Sequence, residues 1–466
     1  MSTKQTLTFP RKLNDADAGF YFLGEQPHCN VAMVMLAVLA EEIPFEEMLT
    51  ELWSAAEYVP RFLDRLQPAP FGIAAPSWTP ADQFEAREQV REVRLAPGSN
   101  WEDALSVVDK LQETDFPGHR PPWEILLING CPAGRALFVM KVHHALSDGT
   151  ALSLLFAKAF GKAFLEQSGL EVEAVSEAPT SQTALRWALR DRGSATVDFA
   201  RRTRRRLPGL LHRPTRRREW ESVRQLARPR YRQHPSEFGT RRRLSGFRIA
   251  ASDWNDEAAA RNGSANDLYL AIVANAMRRR FPQWSLDIFP LQMVMPVDLR
   301  EESATQDGGN VTGVSVVELD GDPRHLRDLH TVRQRTGEAK ANARTMEPTL
   351  FDEVVQQLPG RLRGGVQYRE FATRDVVATN VPVPIQGELC GVPLEMMFMV
   401  APSIGTAVSF SLTSYGENLY LAANADVAVV PGGLDKELSA TLRDVFGEAA
   451  ALRDGSLIPA STVDGS

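Results

Sequence analysis

Only three cysteines occur in the 466 residues, Cys29, Cys131 and Cys390, far apart and with no CxxC pair among them. That scarcity argues against a disulfide framework and against a cysteine-built zinc site, and it fits a reducing cytoplasm. Long apolar runs are lacking as well. The strongest, VAMVMLAVLA from Val31 to Ala40, is about half of the roughly 20 residues that a membrane-spanning helix needs, so any membrane association is expected to be peripheral. The opening stretch MSTKQTLTFPRKLNDADAGF has no apolar core of the signal-peptide kind, and export is not expected. No repeat period emerges, and no zinc-finger spacing or aromatic RNA-binding signature occurs, so nucleic acid is not an expected partner.

What is present is a globular composition, 43% hydrophobic, long enough for two domains with a core each. Charge is unevenly placed. Between Ala200 and Arg243 stand sixteen arginines against Glu219, Glu221 and Glu237, a net +13 where the whole chain carries −7, so the remainder carries −20. The stretch reads either as a solvated connector or as a surface drawn to anionic lipid head groups.

Along the chain, Asn30 to Ala40 is almost continuously apolar and reads as a strand buried on both faces. From Pro44, the spacing of Phe45, Met48, Leu49, Leu52, Trp53 and Ala56 predicts an amphipathic helix, and a second is expected over Trp101 to Leu111. PPWEILLI (Pro121 to Ile128), the turn NGCPAG and RALFVMKV (Arg135 to Val142) predict a hairpin. Leu152, Phe156, Phe160 and Phe164 predict a helix after it. From about Ser176 to Gly246 the pattern dissolves into Ser, Pro and Arg, with helical fragments around Ala184 to Arg206. Beyond it come a helix from Asn266 to Arg280, strands around Leu291 to Met295 and Gly313 to Leu319, a helix from Pro323 to about Ala343, and strands near Val376, Met396, Ala407 and Leu419. The expected domains are residues 1–185, an arginine-rich linker 186–245 and residues 246–466: two α/β sandwich-like halves meeting at a shared cleft.

The hairpin ends in KVHHALSDGT, residues 141 to 150. Adjacent residues of a strand point to opposite sides, so His143 and His144 cannot both face one cavity unless the chain turns between them. A histidine placed there can take a proton from a hydroxyl near neutral pH and return it. Asp148 can orient that ring or lock the loop through an arginine, and Gly149 lets a substrate or another backbone approach the start of the next helix. Either histidine can equally be a satisfied core residue. Metal ligation ranks low, because the two rings diverge and the HExxH spacing is absent, and no GxSxG turn surrounds Ser147.

HHALSDG at 143 to 149 matches the HHxxxDG motif of the chloramphenicol-acetyltransferase-like superfamily. RPPWE at 120 to 124 resembles the RPLWE element of the bacterial wax ester synthase/diacylglycerol acyltransferase family, departing from it at Pro122. NDLYLA from Asn266 and MPVDLR at 295 to 300 are similar to further family elements, the latter with Asp298 for the usual serine. GGN at 308 to 310, TNVPVP at 379 to 384 and SYGENLYL at 414 to 421 follow in the expected order, so the resemblance covers nearly the whole chain.

The resemblance implies two chloramphenicol-acetyltransferase-like domains with the active site between them, and direct acyl transfer without an acyl-enzyme. His144, the second motif histidine, would deprotonate an alcohol that attacks the thioester of acyl-CoA. Acyl-CoA would be a substrate, with no cofactor and no metal. Diacylglycerol or a long-chain alcohol would be the acceptor. The resemblance gives Asp148 a structural role, with Arg300 proposed as its partner. Asn266 and Asp267 can cap their helix, or Asn266 can reach the cleft. Trp123 is hairpin core or acyl-tunnel lining, and Asn380 shapes a turn or lies near the junction of the halves. The arginine-rich stretch, with Leu207, Leu210, Leu211 and Trp220, becomes a candidate anchor on the inner membrane face or on lipid inclusions. Two other readings remain open, a carrier-protein-dependent condensation-type enzyme and a lipid-surface binding protein of the same fold. A homodimer is also open.

Overall fold

The computed structural model describes residues 6–8, 10–27, 29–58, 60–72, 74–81, 85–148, 152, 171–172, 181–206, 238–282, 290–299, 305–307, 309–345, 349–383 and 386–451. Twelve strands build its two large sheets: β1 Ala32–Leu39, β2 Val90–Arg94, β3 Trp123–Asn129, β4 Ala136–His143, β5 Arg242–Ala250, β6 Leu291–Asp298, β7 Thr312–Leu319, β8 Val376–Pro382, β9 Glu388–Leu389, β10 Val392–Val400, β11 Val408–Tyr415 and β12 Asn418–Asp426. The first sheet has the order β9-β10-β1-β4-β3-β2 and the second β7-β6-β8-β11-β12-β5.

All eight residues of β1 are buried, because it lies centrally, antiparallel to both β4 and β10. Two helices supply the same core. Phe45–Tyr58 contributes Met48 and Leu52, and Trp101–Gln112 contributes Ala104, Val108 and Leu111. These positions recur at three- and four-residue intervals, the stripe that buries one helical face. The second helix starts where the Asn100 side chain and Asp103 form a reciprocal capping box. The hairpin is present as the antiparallel pair β3 and β4.

The second core surrounds the helix Ala265–Arg280, in which every residue from Asp267 to Met277 is buried. The two halves interlock. Strands β9 and β10 follow β8 of the second sheet, yet they join the first sheet, with Val400 opposite Val34.

Two sequence expectations change. The helical fragments expected around Ala184 to Arg206 are one continuous 26-residue helix, Ser181–Arg206, and the end of the stretch expected to lack pattern already belongs to β5. Arg242 is 4% exposed and its guanidinium pairs with buried Asp426 at 3.0 Å, so this arginine is core and not connector. The helix expected from Pro323 is a short 3₁₀ turn, Pro323–Leu326, and the α-helix begins only at His330. The break falls where the Leu329 amide turns away to donate to the Arg261 carbonyl at 2.8 Å. The helix expected after the histidine motif lies outside the described residues except for Leu152, which is buried.

Candidate active site

The histidine motif leaves the end of β4 through backbone bonds to two neighbouring segments. His143 N donates to the Pro122 carbonyl at 2.9 Å, and His144 N donates to the Val31 carbonyl at 3.1 Å. As alternation requires, the two rings part. His143 lines a cavity of about 590 Å³ together with Glu25, Asn30, Gln112, Phe116 and Arg120. His144 lines a second cavity of about 250 Å³, and the walls of this one come from both halves of the molecule: Phe20, Leu23 and Met33 on one side, Val294, Val377 and Asn380 on the other.

His143 Nδ1 accepts a hydrogen bond from the Ala145 amide at 3.0 Å, and its ring meets Phe116 edge-on at 5.7 Å. Burial pushes its pKa down to about 3, and the neighbouring His144 and Lys141 add to the effect. The imidazole of His144 stacks on Phe20 with centroids 3.8 Å apart and planes at 6°. Its Nδ1 is buried without a hydrogen-bond partner among the described residues. Burial lowers the pKa of this ring too, opposed by the Asp148 carboxylate, by its own carbonyl and by the Asn310 side chain. A ring so placed is neutral at pH 7 and can accept a proton.

Asp148 is 3% exposed. Its Oδ2 accepts from the Val311 amide at 3.1 Å and from the Thr312 hydroxyl at 3.0 Å, both at the start of β7. Gly149 and Arg300 lie outside the described residues. Asp267 caps its helix together with Ser264, and it also accepts from the Thr336 hydroxyl at 2.6 Å. Asn266 does not share that capping box. Its Oδ1 accepts from Asn380 Nδ2 at 3.3 Å, and Asn380 lines the cavity that His144 lines. Trp123 is hairpin core: it is 5% exposed, and its Nε1 donates to the Phe62 carbonyl at 2.8 Å. It is not among the residues lining either histidine cavity.

Two neighbours of His144, Phe20 and Asn310, and the Asp17 that holds Asn310, were missed as site residues in the sequence. Phe20 and Asp17 sit on the helix Asp15–Gly24, and Asn310 donates from Nδ2 to the His144 carbonyl at 2.6 Å. Asn310 could have been found, because it closes the GGN element. Asp17 and Phe20 carry no local signal beyond a helix start.

Two interlocked α/β halves with an HHxxxDG turn facing a cavity between them define the two-domain chloramphenicol-acetyltransferase-like class. The fold agrees with that of the wax ester synthase/diacylglycerol acyltransferase from Marinobacter aquaeolei (TM-score 0.62, 17% identity, 93% of this chain and 98% of that one). It also agrees with the first condensation domain of the CDA synthetase (TM-score 0.59, 14% identity, 96% and 97%). The chain belongs to the wax ester synthase/diacylglycerol acyltransferase family: the family's catalytic-domain model matches residues 13–269, and its C-terminal domain model matches residues 309–442. It is an acyltransferase of the kind that makes triacylglycerol or wax ester. A Mycobacterium tuberculosis relative assigned as a diacylglycerol O-acyltransferase is 25% identical over 93% of this chain and 91% of its own length.

Proposed function

We propose that this acyltransferase moves a long-chain acyl group from acyl-CoA directly to diacylglycerol or a fatty alcohol, with His144 as general base. The observation that carries the reading is the neutral His144 ring, stacked on Phe20 and facing a largely apolar cavity between the halves. With Nδ1 buried, Nε2 is the nitrogen left to take the acceptor's hydroxyl proton. The alcohol oxygen then bonds to the thioester carbonyl carbon. The tetrahedral intermediate collapses with cleavage of the C–S bond, and the imidazolium returns its proton to the departing thiolate. Ester and free CoA leave, and neither metal nor cofactor is consumed. General-base assistance contributes about a hundredfold to ten-thousandfold, and positioning of the two substrates supplies much of the rest.

Both substrates partition into lipid, so the enzyme works at a membrane or lipid-inclusion surface. No helix among the described residues is long and apolar enough to cross a membrane. The helix Ser181–Arg206 presents exposed Leu189 and Val197 beside exposed Arg201 and Arg204, which suits a peripheral contact with anionic lipid. Deleting residues 201–218 should release the protein from anionic vesicles, and unchanged flotation would remove this part of the reading.

The deciding experiment measures thiol release from palmitoyl-CoA with diacylglycerol, hexadecanol or no acceptor, for wild type and His144→Ala. Acceptor-dependent release that is lost in a folded His144→Ala supports the reading. No release by the wild type would favour an acyl donor held on a carrier protein.

A further inference from the structure

We propose that Asp17 and Asn310 are positioning residues for the transfer, Asn310 holding the peptide unit of His144 from the C-terminal half and Asp17 holding Asn310 from the N-terminal half. The inference rests on the reading of His144 as the base.

Asn310 is 3% exposed. Its backbone N–H and its Nδ2 both donate to Asp17 Oδ1, at 2.8 and 2.7 Å. Nδ2 also donates to the His144 carbonyl at 2.6 Å, and the Asn310 carbonyl accepts from Asn14 Nδ2 at 3.2 Å. The remaining polar atom, Asn310 Oδ1, is buried with no hydrogen-bond partner among the described residues, a cost that a residue used only for packing would avoid. Asp17 is held in turn. It stands in the first turn of the helix Asp15–Gly24, where the helix dipole favours a carboxylate, and its amide donates to the Asn14 cap at 2.8 Å.

Two features make this arrangement more than a tie between segments. The helix that supplies Asp17 also supplies Phe20, one turn on, which stacks on the His144 ring, so one rigid element sets the plane of the base directly and its backbone through Asn310. Asn310 directly precedes Val311 and Thr312, which bind Asp148. Residues 310 to 312 therefore grip the motif at both ends, His144 and Asp148, from the C-terminal half. Misplacement of a reacting group by about 1 Å can cost about a hundredfold in rate.

The test compares wild type with Asn310→Ala, Asp17→Ala and Asp17→Asn in steady-state turnover of palmitoyl-CoA and diacylglycerol. In parallel, the His144 ring is titrated by NMR in histidine-labelled protein, assigned with His144→Gln. Asn310→Ala should lower kcat by about tenfold to a hundredfold with KM for both substrates within about twofold. Its ring titration should move to lower pH, because the Asn310 side chain is one of the groups that hold the proton on His144, while Asp148 remains and His143 stays neutral. Asp17→Asn keeps an oxygen that can accept both bonds and should retain most of the activity, whereas Asp17→Ala should not. Wild-type kcat in Asn310→Ala would overturn the proposal. So would a loss of activity that only tracks a loss of folded protein while the ring titration stays in place. If Asn310→Ala does not fold, the two Asp17 variants decide by the same readouts. Failure of the wild type to use acyl-CoA would sink the functional reading alone, leaving the ring titration to judge the positioning.

Discussion

Asp148 accepts two hydrogen bonds from consecutive residues of the other half, the Val311 amide at 3.1 Å and the Thr312 hydroxyl at 3.0 Å. The aspartate of the motif thereby fastens the histidine turn to the start of β7. Hydrogen bonds to a charged, buried group are worth about 1.5–3 kcal/mol each, so Asp148→Ala should lose on the order of 3 kcal/mol of stability. Asp148→Asn keeps an acceptor oxygen and should lose less. Both should also lose activity, because the carboxylate is the largest influence opposing the burial of His144. Urea unfolding of the two variants checks this. Full stability with no turnover would place Asp148 in direct contact with the chemistry instead.

The two histidines should separate in their mutant behaviour. His144→Ala removes the base and should cost at least about a hundredfold in kcat with little loss of stability. His143→Ala leaves the Ala145 amide without its acceptor at the end of β4. That change should cost about 1–3 kcal/mol of stability while most of the turnover per folded molecule survives. Thiol-release rates normalised to folded protein distinguish the pair, and equal activity losses would mean that both rings act on the substrates.

The pH dependence follows from the direction of the shifts. The active form of His144 is neutral, and burial lowers its pKa below the ordinary 6.5, so kcat/KM should stay level as the pH falls from 8 through 6.5 and drop only below that. A break above pH 6.5 would contradict the buried site. Stability carries the same sign. In the unfolded chain a histidine takes its proton near pH 6.5, whereas folded His143 resists protonation down to about 3. Its contribution is therefore intact above 6.5 and is lost as the pH falls from there toward 3. The unfolding midpoint should decline between pH 6.5 and 5.5, and His143→Gln should flatten that decline.

Local pattern made much of this architecture readable in advance. The unbroken apolar run of β1 reflects burial on both faces, and the three-and-four spacing of Ala104, Val108 and Leu111 reflects one buried helical stripe. The parting of His143 and His144 follows from strand alternation alone. Other features depend on distant partners and leave no local trace. Arg242 looks like one more arginine of a basic stretch until Asp426 neutralises it in the core. Asp17 and Asn310 are 293 positions apart. Asn266 and Asp267 show the limit from the other side: both types can cap a helix, and only their three-dimensional neighbours assign Asp267 to the cap and join Asn266 to Asn380.

Trp123 offers a sharp contrast between a core and a tunnel role. Its indole N–H donates to the Phe62 carbonyl at 2.8 Å, and the Phe62 ring meets it edge-on at 6.2 Å. Trp123→Ala should cost about 3–5 kcal/mol, as deletion of a large buried aromatic does. Trp123→Phe keeps most of the packing but withdraws a donor from the Phe62 carbonyl, so about 1–2 kcal/mol is expected. Because the indole lines neither histidine cavity, the ratio of turnover on palmitoyl-CoA to that on lauroyl-CoA should be the same in Trp123→Phe as in the wild type. A changed ratio at unchanged unfolding midpoint would instead put the indole in the path of the acyl chain, and the Phe62 contact would then be the feature that sets its angle.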